Sequence, residues 1–526
     1  MSEQARLTRA AWSMSAVTSL SRVLGFVRMM VIARIFGAGM VADAFFVAFR
    51  ISNILRELLA EGSMSAAFIP VFSTYLHTKS KEEARELASS IFCILLFILI
   101  GVVTLGITFS PQIVSAIAHG YVQYPEKFSL TVKLTEMMFP YILFVGLSAV
   151  TMGVLNSMGS FTSPAFAPVM LNLAMIGSAL YISPMMETPI AGLAIGVVLG
   201  GLLQLLIQLP PLKKNGMGFY FSFKPRHPGV RQVGRLTIPV IGSQAATQIN
   251  IFVSSLIATY LPQGSVSYLF YAMNLFQFPH GIFGVSIATA TLPSMSRHAA
   301  VGDYDSLKET LSFGLRYIFF IMLPAMVGLI VLRVPITCLL FQRGTFTYQD
   351  TLGTAYALMF FSLALWAYSG VRVVNAAFYA LQDTRTPVKG AFISVFINAS
   401  LSLLLMGPLK HGGLALATAV AAAVNMSFLL FMFRRRMGRI GARRIARSAF
   451  KTAIASGFMG VACYFLAQGD LWMQAGRTVE KAWRVGGAIM AGVAVYAVMQ
   501  YILKNEELVF VTGMVQSKLQ RIIKKR

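Results

Sequence analysis

Charge is scarce in this sequence, and negative charge is scarcest. Only 12% of the 526 residues are charged, with 44 Lys and Arg against 19 Asp and Glu. A soluble domain carries about 25%, so a water-facing globule is excluded. The net charge of +25 has no soluble basic domain to bring it to nucleic acid. Cysteine is nearly absent. Cys93, Cys338 and Cys463 are far apart in apolar surroundings, which leaves neither a disulfide framework nor a metal site. The first ten residues are polar and no short apolar core with a small-residue cleavage site follows, so no cleavable signal peptide is expected. The longer loops expected outside, near 111–132 and 333–351, offer only Glu126 and Asp350 as carboxylates. That argues against a membrane glycosyltransferase or polymerase, and no catalytic residue or cofactor is expected.

What the chain has is apolar length. Runs such as IFCILLFILIGVVTLGITF (91–109) and IAGLAIGVVLGGLLQLLIQL (190–209) approach the ~20 residues that cross a hydrocarbon core. The sequence predicts an all-α polytopic membrane protein with about fourteen spans. They lie near 12–35, 41–69, 88–110, 133–156, 164–183, 189–210, 234–260, 266–292, 310–332, 352–380, 388–407, 412–433, 448–468 and 482–503. Basic residues orient them. The loop 211–233 holds Lys213, Lys214, Lys224, Arg226 and Arg231, and 434–447 holds seven arginines. Loops 184–188 and 261–265 hold no Lys or Arg. Both termini are therefore expected in the cytoplasm, with the basic loops against anionic phospholipid.

An internal echo organises the spans. AAFIPVFSTYLHTKS (66–80) and TATLPSMSRHAAVGD (289–303) share an aliphatic residue, Pro and a Ser three positions on, Ile69-Pro70-Ser73 and Leu292-Pro293-Ser296. A weaker echo links LNSMGSFTSPAF with LQDTRTPVKGAF. The pattern predicts two parallel six-helix halves: an N-lobe within 1–210, a cytoplasmic linker 211–233 and a C-lobe 234–433. The remainder, 434–526, is a basic linker, two extra spans and a tail. Transporters built from such repeats bind substrate between them near the midplane.

Charges inside the first two spans need a reason, because each costs at least roughly 2.5–3.5 kcal/mol at a bilayer centre. On an ideal helix Asp43, Arg50, Glu57 and Glu61 fall within a stripe of about 40°, with Arg56 off it. This is the pattern of a polar cavity wall; the bland alternative is a structural ion-pair ladder. Arg22, Arg28 and Arg34 spread around the first helix. A bend at Gly25 would let Arg22 and Arg28 reach one cavity, with Arg34 snorkelling at the outer end. Several arginines point to an anion, because the guanidinium fork matches phosphate.

SRVLGFVR (21–28), ARIFGAGMVADAFFVAFR (33–50), NILRELLAEGSMSAAFIPVFS (53–73), PAFAPVMLN (164–172), GVSIATATLPSMS (284–296) and QDTRTPV (382–388) together resemble the MurJ (MviN) family. These are lipid II flippases of peptidoglycan synthesis in the multidrug/oligosaccharidyl-lipid/polysaccharide exporter superfamily. The resemblance covers essentially the whole chain. It implies two six-helix lobes in a V and two terminal helices forming a groove for the polyprenyl tail. It carries substrate-binding roles onto Arg22, Arg28 and Arg56, with Glu61 and Asp43 as nearby carboxylates and Ala33 and Ser267 as small cavity residues. It ranks Arg56 above Arg50, the reverse of the helical arithmetic; Asn53 and Gly62 flank the bend expected there. Where the family carries Y-A-D-R-L, this chain has YAMNL, so Asn274 replaces an arginine that Arg372 or Arg50 would have to replace. Where some members hold sodium through aspartates, this chain has Ser254 and Ser402, and no metal is expected.

The resemblance implies a transporter, not an enzyme. Lipid II, the undecaprenyl-linked precursor, is moved from the cytoplasmic to the outer leaflet of the bacterial inner membrane. Cell-wall synthesis or division proteins are the protein partners it suggests. The alternatives are an O-antigen or polysaccharide-lipid flippase, or a drug/cation antiporter of the same superfamily. The arginine cluster speaks against a cation.

Overall fold

The computed structural model describes the backbone of residues 3–58, 63–474, 476–508, 510 and 513, and all their side chains except those of 3–16, 63–66 and 242–247. Among the described residues there is no strand. The chain forms two compact units, Met1–Ser267 with Gly344–Phe346, and Tyr268–Arg343 with Thr347–Arg526.

The first unit begins with α1 (Glu3–Phe36), which crosses Gly25 unbroken, and α2 (Met40–Arg56). A π turn at 57–58 follows α2. Then come α3 (Ser63–Thr78), α4 (Lys81–Thr108), α5 (Ser110–Ile117), α6 (Pro125–Met138) and α7 (Pro140–Ser157). The unit continues with α8 (Thr162–Gly177), α9 (Pro189–Leu206), α10 (Leu209–Lys214) and α11 (Pro228–Thr259), which packs on α3. Small residues set the closest approaches, as in membrane helix pairs generally. On α9, Gly192, Gly196 and Gly200 recur every fourth residue, and a side chain at any of them would meet Ser183, Ser178 or Leu171. Ser178 Oγ donates to the Gly192 carbonyl in the gap they leave.

The second unit carries most of α12 (Ser265–Pro279), then α13 (Val285–Ala300), α14 (Tyr304–Val331), α15 (Arg333–Phe341), α16 (Tyr348–Ser362) and α17 (Leu365–Ala380). It ends with α18 (Arg385–Met437), α19 (Ala442–Ala467) and α20 (Thr478–Ile502). The sequence echo recurs in helix boundaries. Helices α4 and α14 both have 28 residues. Lys81 and Tyr304, which begin them, lie 223 positions apart, and so do Ser110 and Arg333, Pro125 and Tyr348, and Thr162 and Arg385. Even the caps correspond. Ser80 accepts from the Glu83 N–H at 3.1 Å, and Asp303, 223 residues later, accepts from the Ser306 N–H at 3.0 Å.

The span boundaries differ from the sequence reading in two ways. Among the described residues eight helices are long and apolar enough to cross a membrane, or nine counting the bent pair α16–α17. One of these, α18, is a 53-residue helix kinked at Lys410, where φ is 47°, and it holds both spans expected at 388–407 and 412–433. The span expected at 133–156 starts earlier, since 125–157 runs as one. That draws Lys127 into the protein interior.

Candidate functional site

Asp43 lies in the first turn of α2 and is 1% exposed. Both its oxygens are fully engaged. Oδ2 accepts from Lys127 Nζ at 2.8 Å and from the Gly264 N–H at 2.8 Å. Oδ1 accepts from the Ser267 N–H at 2.9 Å and from Ser267 Oγ at 2.7 Å. The carboxylate therefore caps the start of α12 as well as sitting at that of α2, where helix dipoles favour negative charge. Gly264 presents its N–H from a backbone with φ of 89°, a conformation that favours glycine. Lys127 Nζ also sits 4.0 Å from the Tyr121 ring centroid, a cation–π contact. Ala33 and Ser267 are both 0% exposed, and Ser267 belongs to this cluster.

The arginines lie further along. Arg56 is 13 residues from Asp43, or about 20 Å at 1.5 Å per residue. Its Nε donates to Asn53 Oδ1 at 3.0 Å, and its Nη2 is 3.7 Å from Glu57 Oε1. Arg28 lies within electrostatic range of the Arg56 guanidinium and the Tyr141 hydroxyl. Its Nη1 reaches Met175 Sδ at 3.7 Å, and its buried Nε–H has no acceptor among the described residues. Arg28 and Arg56 are thus brought together from α1 and α2. Arg50 faces the field of Glu57, whose Oε2 accepts from Gln248 Nε2 at 2.8 Å. Arg22 and Arg34 are exposed. Glu61 and Gly62 lie outside the described residues.

In the second unit, Asn274 Nδ2 donates to the Phe270 carbonyl of its own helix at 2.8 Å. Arg372 Nε reaches His280 Nε2 at 3.2 Å, and His280 Nδ1 lies 2.9 Å from Ser369 Oγ. His280 opens a π turn, 280–284, between α12 and α13. Ser402 and Thr418 both turn their hydroxyls to Asn398 Oδ1, at 3.5 and 3.4 Å.

Two like-charged guanidiniums, one from α1 and one from α2, thus lie within electrostatic range of each other. The sequence profile of the family described as "Lipid II flippase MurJ" matches residues 32–485, most of the chain and all of α2. The chain belongs to the MurJ family. The "Probable lipid II flippase MurJ" of Vibrio cholerae is 36% identical over 511 residues, covering 95% of this chain and 96% of its own. The "Lipid II flippase MurJ" of Burkholderia cenocepacia is 38% identical over 437 residues, covering 82% and 84%. Among solved structures, "Lipid II flippase MurJ, inward closed conformation" superposes with a TM-score of 0.79 at 28% identity, covering 93% of this chain and 98% of its own. An inward-facing multidrug resistance MATE transporter of the MOP superfamily matches at TM-score 0.66 and 14% identity, covering 82% and 99%, which is a likeness of fold alone. The MurJ fold is that of an all-α, multi-pass membrane transporter and not of an enzyme.

Sequence reasoning missed Lys127, Gly264 and Gln248 in this family member. Lys127, Thr131 and Thr135 are all buried, four residues apart. That polar stripe, running into an apolar span, was the available signal for Lys127. Gln248 had none, because its partner Glu57 is 191 residues away.

Proposed function

We infer that this chain moves lipid II from the cytoplasmic to the outer leaflet of the bacterial inner membrane by alternating access. The two moving bodies are the lobes within 1–210 and 234–433, with both termini in the cytoplasm. The observation that carries the reading is the convergence of Arg28 and Arg56, with the Arg28 Nε–H unclaimed among the described residues. Their repulsion is relieved by a pyrophosphate, which guanidiniums bind through charge-assisted, bidentate hydrogen bonds. Arg22 joins them at the headgroup. The tail stays in lipid beside α19 and α20.

The Asp43 cluster is the other end of the cycle. With Lys127, Gly264 and Ser267 all bound to it, the α2–α6–α12 end is shut. Substrate leaves outward only when these bonds part, and the freed Asp43 then turns toward the arginines. Helix α11 packs on α3 here but belongs by the repeat to the second lobe, so it changes partners as the lobes move. An anionic substrate moving toward a positive outside gains about 2.3 kcal/mol per charge per 100 mV.

The test is complementation of a strain depleted of its own lipid II flippase, together with labelling of lipid II in the outer leaflet. Growth and restored labelling support the reading. Membrane-inserted protein that restores neither refutes it.

A further inference from the structure

A basic cavity lies where α14, the start of α19 and residues 505–507, just past α20, come together. It encloses about 470 Å³. Its wall holds five cations, among them Arg316, Arg443, Arg444 and Arg447, against two carboxylates, Glu506 and Glu507.

The helix that supplies most of these cations has them at the wrong end. Helix α19 starts at Ala442 after Gly441, and no side chain caps its first N–H groups. A helix N-terminus carries partial positive charge, so arginines in the opening turns repel it. An anion at this spot is favoured by the dipole, by opening N–H groups that no side chain caps and by the guanidiniums together.

The two glutamates answer only part of the charge. Arg316 is 6% exposed, and its Nη1 donates to Glu506 Oε2 at 3.0 Å and to Glu507 Oε1 at 2.5 Å. Arg444 Nη2 donates to Glu506 Oε2 at 2.6 Å, and Ser448 Oγ to Glu507 Oε2 at 3.0 Å. Both carboxylates are thereby occupied. Yet the buried Nε–H of Arg316 has no acceptor among the described residues, and Arg443 and Arg447 have no ion-pair partner among them.

The surroundings say which kind of anion fits. Helices α19 and α20 are both long and apolar enough to cross a membrane, and the cavity lies at their ends. Phe450, Tyr501 and Ile502, at the same ends, are 68%, 78% and 61% exposed. A ligand with a phosphate head and hydrocarbon tails meets both surfaces at once. Basic pockets between membrane helices recognise such headgroups.

We propose that this cavity is a binding site for the phosphate headgroup of an anionic membrane phospholipid, held by Arg316, Arg443, Arg447 and the start of α19. The site is separate from the Arg28–Arg56 pair. It requires only that α19 and α20 span the bilayer, whatever substrate the chain moves.

The test uses the full chain in nanodiscs of phosphatidylcholine with increasing phosphatidylglycerol. Lipid retained on the protein is read by native mass spectrometry, and stability by thermal melting. Wild type should retain phosphatidylglycerol in preference and gain stability with it. Arg443→Gln/Arg447→Gln should weaken retention roughly tenfold or more. Both side chains are exposed, so the variant should fold. Arg434→Gln/Arg435→Gln, which removes equal charge outside the cavity, should leave retention unchanged. Equal losses in both variants would mean diffuse attraction and overturn the site. So would absence of any phosphatidylglycerol preference. If inorganic phosphate at millimolar concentration displaces the lipid and stabilises the protein as well, the ligand is free phosphate and the lipid assignment is wrong.

Discussion

Lys127 places its ammonium 2.8 Å from Asp43 Oδ2, 84 residues away in sequence, with their side chains 7% and 1% exposed. A pair this deep is held by its surroundings as much as by its own attraction. Two backbone N–H groups and a hydroxyl complete the carboxylate, and an aromatic face covers the ammonium. The cluster joins α2, α6 and the start of α12, so one substitution tests all three attachments.

Lys127→Met should destabilise the protein by about 3–5 kcal/mol, because the Asp43 charge stays buried without its cation. Adding Asp43→Asn to that variant should recover part of the loss. Thermal melting of the four proteins gives the coupling between the two sites. Additive losses would mean that the two side chains are neighbours without being partners.

Arg28→Ala should abolish complementation while membrane abundance stays normal. Removing Arg28 also removes its repulsion with Arg56, so the fold should lose little. Wild-type growth would place Arg28 with the exposed Arg34 as a structural cation.

Acid should loosen the α19–α20 end. The hydrogen bond from Arg444, with the charges of Arg444 and Arg316, holds the Glu506 carboxyl below its ordinary value of 4.5. A depressed carboxyl stabilises the fold above its unfolded-state pKa, and that contribution is lost as pH falls through the folded value. The melting temperature of wild type should therefore exceed that of Glu506→Gln near pH 7, and the gap should close below pH ~4.3. The gap will be small, since the Glu506 side chain is 61% exposed. A gap that stays constant down to the lowest pH would show that Glu506 acts only by packing.

Much of this architecture was legible in the sequence because bilayers demand long apolar helices, and apolar length is a local property. The Pro70 and Pro293 echo was legible for the same reason and led to helix starts that repeat at a constant interval. The partners of polar groups were not legible. An ideal-helix stripe placed Asp43 on the same face as Arg50, but a stripe gives direction, not depth along the bilayer. Asp43 is met by Lys127 and by the turn at Gly264, contacts that span 84 and 221 residues. Helix α1 runs through Gly25 without a break in its helical assignment, and Asn172, from α8, donates its amide to the Ser21 carbonyl at 3.1 Å one turn earlier.

The last prediction concerns Asn274. Where relatives sharing the Y-A-D-R-L pattern carry an arginine, this chain has a neutral amide whose Nδ2 is turned to the Phe270 carbonyl of its own helix at 2.8 Å. A charge-assisted bond to phosphate is roughly twice as strong as a neutral one, so if this position touches the substrate phosphate, one strong contact must come from elsewhere. By the repeat, Asn274 corresponds to Arg50, three residues into VAFRI as Asn274 is into YAMNL. The proposal to test is that Arg50, at the corresponding place in the other half, supplies that charge. Arg50→Ala should then cripple complementation, and adding Asn274→Arg should restore part of it. The four proteins must be compared at matched membrane levels, since losing Arg50 also unbalances Glu57. Arg372 gives the competing account. It is held by His280 at 3.2 Å, and if it carries the charge instead, Arg372→Ala will be the crippling change and Arg50→Ala will be silent. A silent Arg50→Ala, or no rescue by Asn274→Arg, removes the compensation between these two positions.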